Sequence, residues 1–326
     1  MPSITSIAPL RVVEGGRVTL HGSGFPVGEL PTVTIGGVEA LVSFASPRRL
    51  ILTVPSGLDG GSLPIRISDL AGTTAHVSVG AAWAAGLHQV DNPVFDPDGN
   101  LYVTYSGPRG QEAPVSIFRV TPAGTREPFA SGIVNATSMA FGPDGHLYVS
   151  SRFEGAVYRV DSAGSHEAVA TDLGVACGIT FDADGWMYVG DRSGTIFKVR
   201  DGKAAAFATL PASIAAFHLA MGPTGDLFVS GPTLVSYDTV YRISRQGEVS
   251  ALAMTFGRPQ GLAFAPDGSL HVVEALAGSS GVYRVIADAR ALAPELVVAG
   301  GSLIGVAFGP AGEMVVASNE TAYRFD

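Results

Sequence analysis

Cysteine is almost missing from this chain of 326 residues. Cys177 stands alone, so no intrachain disulfide can form. Lysine is scarce too: only Lys198 and Lys203 occur, the arginines are scattered and the formal net charge is −9. A phosphate backbone needs a clustered basic face, so no nucleic-acid partner is expected. No uncharged apolar run approaches the ~18 residues of a membrane span, so no membrane partner is expected either. The opening residues MPSITSIAPLRVVEGG hold no basic stretch leading into an apolar one, which makes cytoplasmic the expected location. Long periodic runs of helix formers are also lacking, and charged residues are only 15%. What the chain has instead is glycine (42) and proline (21) as frequent punctuation, the composition of an all-β protein.

One pattern occurs six times: FDPDGNLYVT from Phe95, FGPDGHLYVS from Phe141, FDADGWMYVG from Phe181, MGPTGDLFVS from Met221, FAPDGSLHVV from Phe264 and FGPAGEMVVA from Phe308. Each copy reads as strand, tight turn, strand, with glycine supplying the positive φ of the turn. A third strand follows, as in AVYRV (156–160) and GVYRV (281–285), and then a weaker fourth, as in EAVAT (167–171). Four strands per ~40–50 residues is the signature of a propeller blade, and six copies predict a six-bladed β-propeller over residues 77–326. The last copy ends with its third strand. The segment 77–86 matches the missing fourth strand and is expected to complete the last blade, closing the ring from the N-terminal side.

Residues 1–76 lie outside the repeat. RVTLHG (17–22), PTVTIGG (31–37), RLILTVP (49–55) and LPIRISD (63–69) are short alternating strands between Gly/Pro turns, the pattern of an immunoglobulin-like β-sandwich. The run ITSIAPLRVVEGGRVTLHGSGF (4–25), followed by VTIGGVEA (33–40) and LILTVP (50–55), resembles a TIG/IPT domain. The resemblance implies a spacer, a carbohydrate-associated module or a surface for TIG-mediated self-association.

The repeats resemble the NHL and senescence-marker/gluconolactonase group of six-bladed propellers. In such propellers the fourth-to-first and second-to-third strand loops share one face around the central channel. Aligning the copies puts Asp91, Thr137, Cys177, Phe217, Gln260 and Ile304 at the channel mouth. The gluconolactonase-like enzymes hold a divalent metal there with Glu, Asn and Asp. Their E-x-P-x-W resembles Asp91-Asn92-Pro93-Val94-Phe95, so the resemblance makes Asp91 the first metal ligand. The other two blades offer Phe217 and Gln260, an incomplete set for a hard cation, so no cofactor is assigned and a divalent metal at Asp91 stays open as the alternative.

The loops of this face supply opposing charges from several blades. Asp91, Arg152, Asp191, Arg192, His218, Arg258, Gln260 and Glu274 are the expected ligand-binding residues, with a small polar or anionic molecule as the partner. Asp191 and His218 are the candidate catalytic pair. Arg109, Asp238 and Tyr237 belong to the same loops. Bland readings stand beside these: a lone Cys177 suits a small buried hydrophobe, His218 suits a bond between blades, and Asp-x-Asp-Gly at 96–99 and 182–185 suits turn chemistry rather than calcium. Three functions remain open at this point: a ligand-binding propeller, a divergent gluconolactonase-like hydrolase and a protein-interaction scaffold.

Overall fold

The computed structural model describes residues 3–68, 75–276, 278–285 and 293–325, and among these every regular element is a strand. The N-terminal unit forms because its strands alternate. Val18 and Leu20 of Arg17–Ser23, Leu50 and Leu52 of Arg49–Thr53, and Ile65 and Ile67 of Gly61–Ile67 all point inward and are buried. One layer runs Ser3–Ala8, Arg17–Ser23, Arg49–Thr53, Val38–Ser46. Val38–Ser46 then pairs with Val33–Ile35 as well, and the second layer continues through Gly61–Ile67 to Ala75–Val79.

The repeats fold as four-stranded antiparallel meanders. Five of these stand as separate sheets. The first spans residues 94–130, the second 136–170, the third 176–209 and the fourth 218–256. The last joins Leu303–Phe308, Met314–Ser318 and Thr321–Phe325 to Ala81–Ala85. The fifth repeat, Pro259–Phe264 to Glu295–Ala299, also makes a four-stranded meander, but not a separate one. The sequence predicts six discrete blades; only five stand as separate four-stranded sheets because Arg11–Val12 pairs in parallel with both Ala75–Val79 and Glu295–Ala299. That two-residue strand fuses the fifth repeat to the sandwich in one twelve-stranded sheet. The segment 77–86 is likewise divided, Ala75–Val79 pairing within the sandwich and Ala81–Ala85 with Thr321–Phe325.

The turn chemistry repeats faithfully. Gly99, Gly145, Gly185, Gly225, Gly268 and Gly312 all have φ between 76° and 88°, a region other residues enter only with strain. Packing between meanders also follows the motif. The second-strand aromatic of one copy meets the motif Phe of the next edge to face: Tyr148–Phe181 at 4.8 Å, Phe228–Phe264 at 5.1 Å, and His271 fills the same role against Phe308 at 4.9 Å. The third-strand arginines turn outward to carboxylates, as in Arg119–Glu127 and Arg159–Glu167, both 2.8 Å. A cavity of about 370 Å³ lies among the innermost strands, lined by residues of every repeat from Asp91 round to Phe308.

Candidate functional site

The mouth of this cavity is built on a clamped loop. Gln89 is buried; its Oε1 accepts the Thr104 amide at 2.8 Å and its Nε2 donates to the Asp91 carbonyl at 2.7 Å. From the last blade, Asn319 Nδ2 donates to the Gln89 carbonyl at 2.8 Å. This loop delivers Asp91 into the channel, where it is buried against His218, the first residue of the fourth blade's inner strand. Asp91 Oδ1 and His218 Nδ1 are 2.5 Å apart. Asp91 Oδ1 also accepts the Asn92 amide at 2.7 Å. That oxygen is an acceptor, so Nδ1 is the protonated, donating nitrogen of the imidazole. His218 Nε2 is buried and has no partner among the described residues.

Asn92 crosses the channel in another direction. Its Nδ2 donates to the Leu262 carbonyl at 2.8 Å, and its Oδ1 accepts the Val306 amide at 3.0 Å. Glycine at 305 permits this approach, since a Cβ there would stand 2.8 Å from the Asn92 Cα. Gln89 and Asn92 were not among the expected site residues. The signal for Asn92 was glycine at the matching position of the fifth and last repeats, Gly261 and Gly305, where the second and fourth carry Ser138 and His218; the third also has a glycine there, Gly178.

Two of the expected carboxylates are committed to their own loops. Asp191 Oδ1 accepts the Val175 amide at 2.8 Å, and its Oδ2 accepts the Ser193 hydroxyl. Glu274 accepts three amides, from Gly257 at 2.5 Å, Arg258 at 2.8 Å and Leu276 at 2.7 Å. Each ties a fourth-to-first loop to the second-to-third loop beside it. Arg258 is exposed and Gln260 half-buried in the loop Glu274 holds; the Gln260 carbonyl accepts the Ser230 hydroxyl at 2.5 Å. The structure therefore joins Asp91 to His218, and leaves Asp191 and Glu274 apart from that pair.

The cations gather. Arg152 is half-buried, and its guanidinium is held below the ordinary arginine value first by burial and then by repulsion from Arg109 and Arg192. His88 is lowered in the same way, by burial and then by Arg152. Among the described residues none of Arg109, Arg152 and Arg192 forms an ion pair. Cys177 lies in the same electrostatic neighbourhood but is only 1% exposed. Burial, followed by the charge of Asp91, pushes its thiol up to about 12, and its Sγ donates to the Val175 carbonyl at 3.3 Å. It is a neutral, enclosed thiol, not a nucleophile.

The residues do not fit a gluconolactonase-type metal centre. Asp91 Oδ1 is occupied by His218 and Asn92, and Phe217 is a buried hydrocarbon at the position of the family's asparagine. Among the described residues no three His, Cys, Asp or Glu side chains converge on a common point.

Residues 2–75 match the IPT/TIG domain family. No curated protein matches the chain in sequence. Among solved structures it is similar to an auxiliary nutrient binding protein from Bacteroides thetaiotaomicron, at 12% identity and a TM-score of 0.59, over 99% of this chain and 97% of that one. A gluconolactonase-like protein aligns at 17% identity and a TM-score of 0.57, over 74% of this chain and 90% of its own. Virginiamycin B lyase from Staphylococcus aureus aligns at 12% identity and a TM-score of 0.55, over 75% of this chain and 97% of its own. The likenesses to solved structures show a β-propeller fold, and the match to the IPT/TIG family is confined to residues 2–75.

Proposed function

We propose that the chain is a six-bladed ring that binds a small organic anion at the mouth of its central channel. Support for six comes from the cavity, which inner strands of all six repeats line, and from the ring contacts Phe228–Phe264 and His271–Phe308, which join the fifth repeat to its neighbours on both sides. On this reading Ala81–Ala85 is the closing strand, and the sandwich ends with Ala75–Val79.

The observation that carries the function is the trio Arg109, Arg152 and Arg192, contributed by the second-to-third loops of three successive blades. Like charges held together without carboxylate partners are unfavourable, and an anion accepting charge-assisted hydrogen bonds relieves them. Asp191 forms no ion pair with this group among the described residues; its oxygens accept from Val175 and Ser193 instead. The Asp91–His218 pair favours binding over hydrolysis: a general base must reach its substrate, and His218 Nε2 is sealed from solvent. The nutrient-binding neighbour agrees with this reading. The gluconolactonase-like and lyase neighbours supply the second one, in which Nε2 becomes a base after the mouth opens.

The test is a thermal-shift screen of carboxylates, phosphates and sulfates on the full chain, followed by calorimetry with Arg152→Ala. Loss of a hydrogen bond to a charged group is worth roughly 1.5–3 kcal/mol, so hits should weaken by about 10- to 100-fold. Hits that bind Arg152→Ala as well as wild type, or a screen without hits, would overturn the proposal.

A further inference from the structure

Apolar side chains flank the arginine trio on both sides. Phe153 follows Arg152 and is 53% exposed. Its ring lies beside Gly110, where a Cβ would stand 2.9 Å from it, and Gly110 follows Arg109. On the other side a run of backbone hydrogen bonds leads from the third blade to the fourth. The Ser213 amide donates to the Arg192 carbonyl at 3.0 Å, and the Ile214 amide donates to the Pro232 carbonyl at 2.9 Å. Ser213 Oγ donates to that Pro232 carbonyl too, at 3.0 Å. The loop so attached carries Leu234, 90% exposed, Val235, 62%, and Tyr237, 66%.

This loop is held in shape, so its exposure is not fraying. Asp238 is buried and accepts the Thr233 amide at 3.0 Å and the Thr233 hydroxyl at 2.7 Å; the Val235 amide donates to Thr233 Oγ1 at 3.3 Å. A fixed turn that presents Leu, Val and Tyr to water has no folding rationale, and such surfaces mark binding sites. Here it adjoins a group of cations that forms no ion pair among the described residues.

We infer that the ligand is an amphipathic anion: a carboxylate held by Arg152 with Arg109 and Arg192, joined to an apolar body that lies along Ile214, Leu234, Val235 and Tyr237. The inference rests on the anion-binding reading above and adds the chemical class. Charge complementarity fixes one end of the occupant, and the apolar loop fixes the character of the other.

The experiment is calorimetric titration of the full chain with the n-alkanoates butanoate, hexanoate, octanoate and decanoate, below their micelle concentrations and at fixed ionic strength, with inorganic phosphate as a compact anion. A fully buried CH₂ contributes about fourfold in affinity, the equivalent of ~0.8 kcal/mol. Affinity should therefore climb along the series by up to that factor per carbon. Leu234→Ser/Val235→Ser should flatten the climb; both positions are exposed, so the fold tolerates the change. Arg152→Gln should weaken binding of every member by about 10- to 100-fold. Length-independent binding that still needs Arg152 overturns this inference and leaves the anion site standing, as does binding of phosphate without any alkanoate. A climb with chain length that Arg152→Gln does not alter is plain partitioning and overturns it as well. Absence of binding by alkanoates and phosphate alike removes the anion site itself.

Discussion

Asp91 and His218 are 127 residues apart in sequence and 2.5 Å apart in the channel, where Oδ1 of one receives the Nδ1 hydrogen of the other. The pair ties the first blade to the fourth, and Asn92 beside it ties the first to the strands of the fifth and last repeats. The channel mouth is thus cross-braced from its own floor. Removing one member of a buried pair strands the other, at a cost of roughly 3–5 kcal/mol. Asp91→Ala and His218→Ala should each lower stability by about that amount in urea denaturation. The double variant should cost clearly less than the two singles together, because the second change removes an already stranded group. Asp91→Asn, whose amide oxygen can still accept from Nδ1, should be the mildest. Strict additivity would show that the brace carries no coupling.

The turns and blades were legible because their chemistry is local. Gly99 and its five counterparts adopt positive φ for a reason visible in four residues of sequence, and Tyr148 meets Phe181 because the same motif places both. The site was legible only in part because it depends on register. The inner strands of the second, third and fifth repeats carry an irregularity near their start, between Ala136 and Met139, Ala176 and Ile179, and Pro259 and Leu262. His218–Met221 pairs in step from His218 opposite Ser230. Counting back a constant number of residues therefore lands on Phe217, while the side chain that reaches Asp91 is the next one. A one-residue difference moves a strand residue to the other face. The fusion of the fifth repeat to the sandwich was hidden for another reason: Arg11–Val12 is too short to have any periodicity.

That fusion alters what truncation should do. Deleting residues 1–75 removes the parallel partner of Glu295–Ala299, the Val13 amide bond to the Ala299 carbonyl at 2.9 Å, and the Tyr323 hydroxyl's bond to Glu14 at 2.6 Å. It also removes Val13 from a core containing Val273, Val298 and Phe325. The propeller so produced should fold but melt below the full chain. Deleting residues 1–87 should melt lower still and aggregate, because Thr321–Phe325 then loses Ala81–Ala85 and becomes an open edge. Equal melting temperatures for the two truncations would contradict the closure.

Divalent metal should matter little. A ligand stabilises a fold by RT ln(1 + [L]/Kd), and among the described residues no cluster of His, Cys, Asp or Glu forms around Asp91 to chelate a metal. Millimolar calcium or zinc should move the melting temperature no more than an inert salt of equal ionic strength. A large calcium shift that Asp91→Ala abolishes would contradict this and restore a metal-dependent hydrolase.

Cys177 gives a prediction with a definite sign. Burial raises its thiol from the ordinary thiol value to about 12, and the neighbouring Arg152 and Arg192 pull it down by less than burial pushes it up. Below pH ~8.5 the thiol is protonated in both the folded and unfolded chains and contributes nothing to pH dependence. Above that value the unfolded chain releases the proton while the folded chain keeps it. The unfolded state then binds fewer protons, so stability falls as pH rises, at a limiting slope of about 1.4 kcal/mol per pH unit for one group. The loss spans the interval from the ordinary thiol value up to about 12. Cys177→Ala should cost a constant increment at neutral pH, through lost packing, and its deficit relative to wild type should shrink steadily as pH rises through 9 and 10. The raised tyrosines, such as Tyr102 at about 12, titrate in both proteins and cancel in the difference. Urea titrations of both proteins at several pH values measure that difference directly. In parallel, a thiol reagent at pH 8 should label Cys177 only as fast as the chain unfolds. Parallel stability curves, or rapid labelling of the folded protein, would mean that the thiol is open to solvent and lies on the binding face itself.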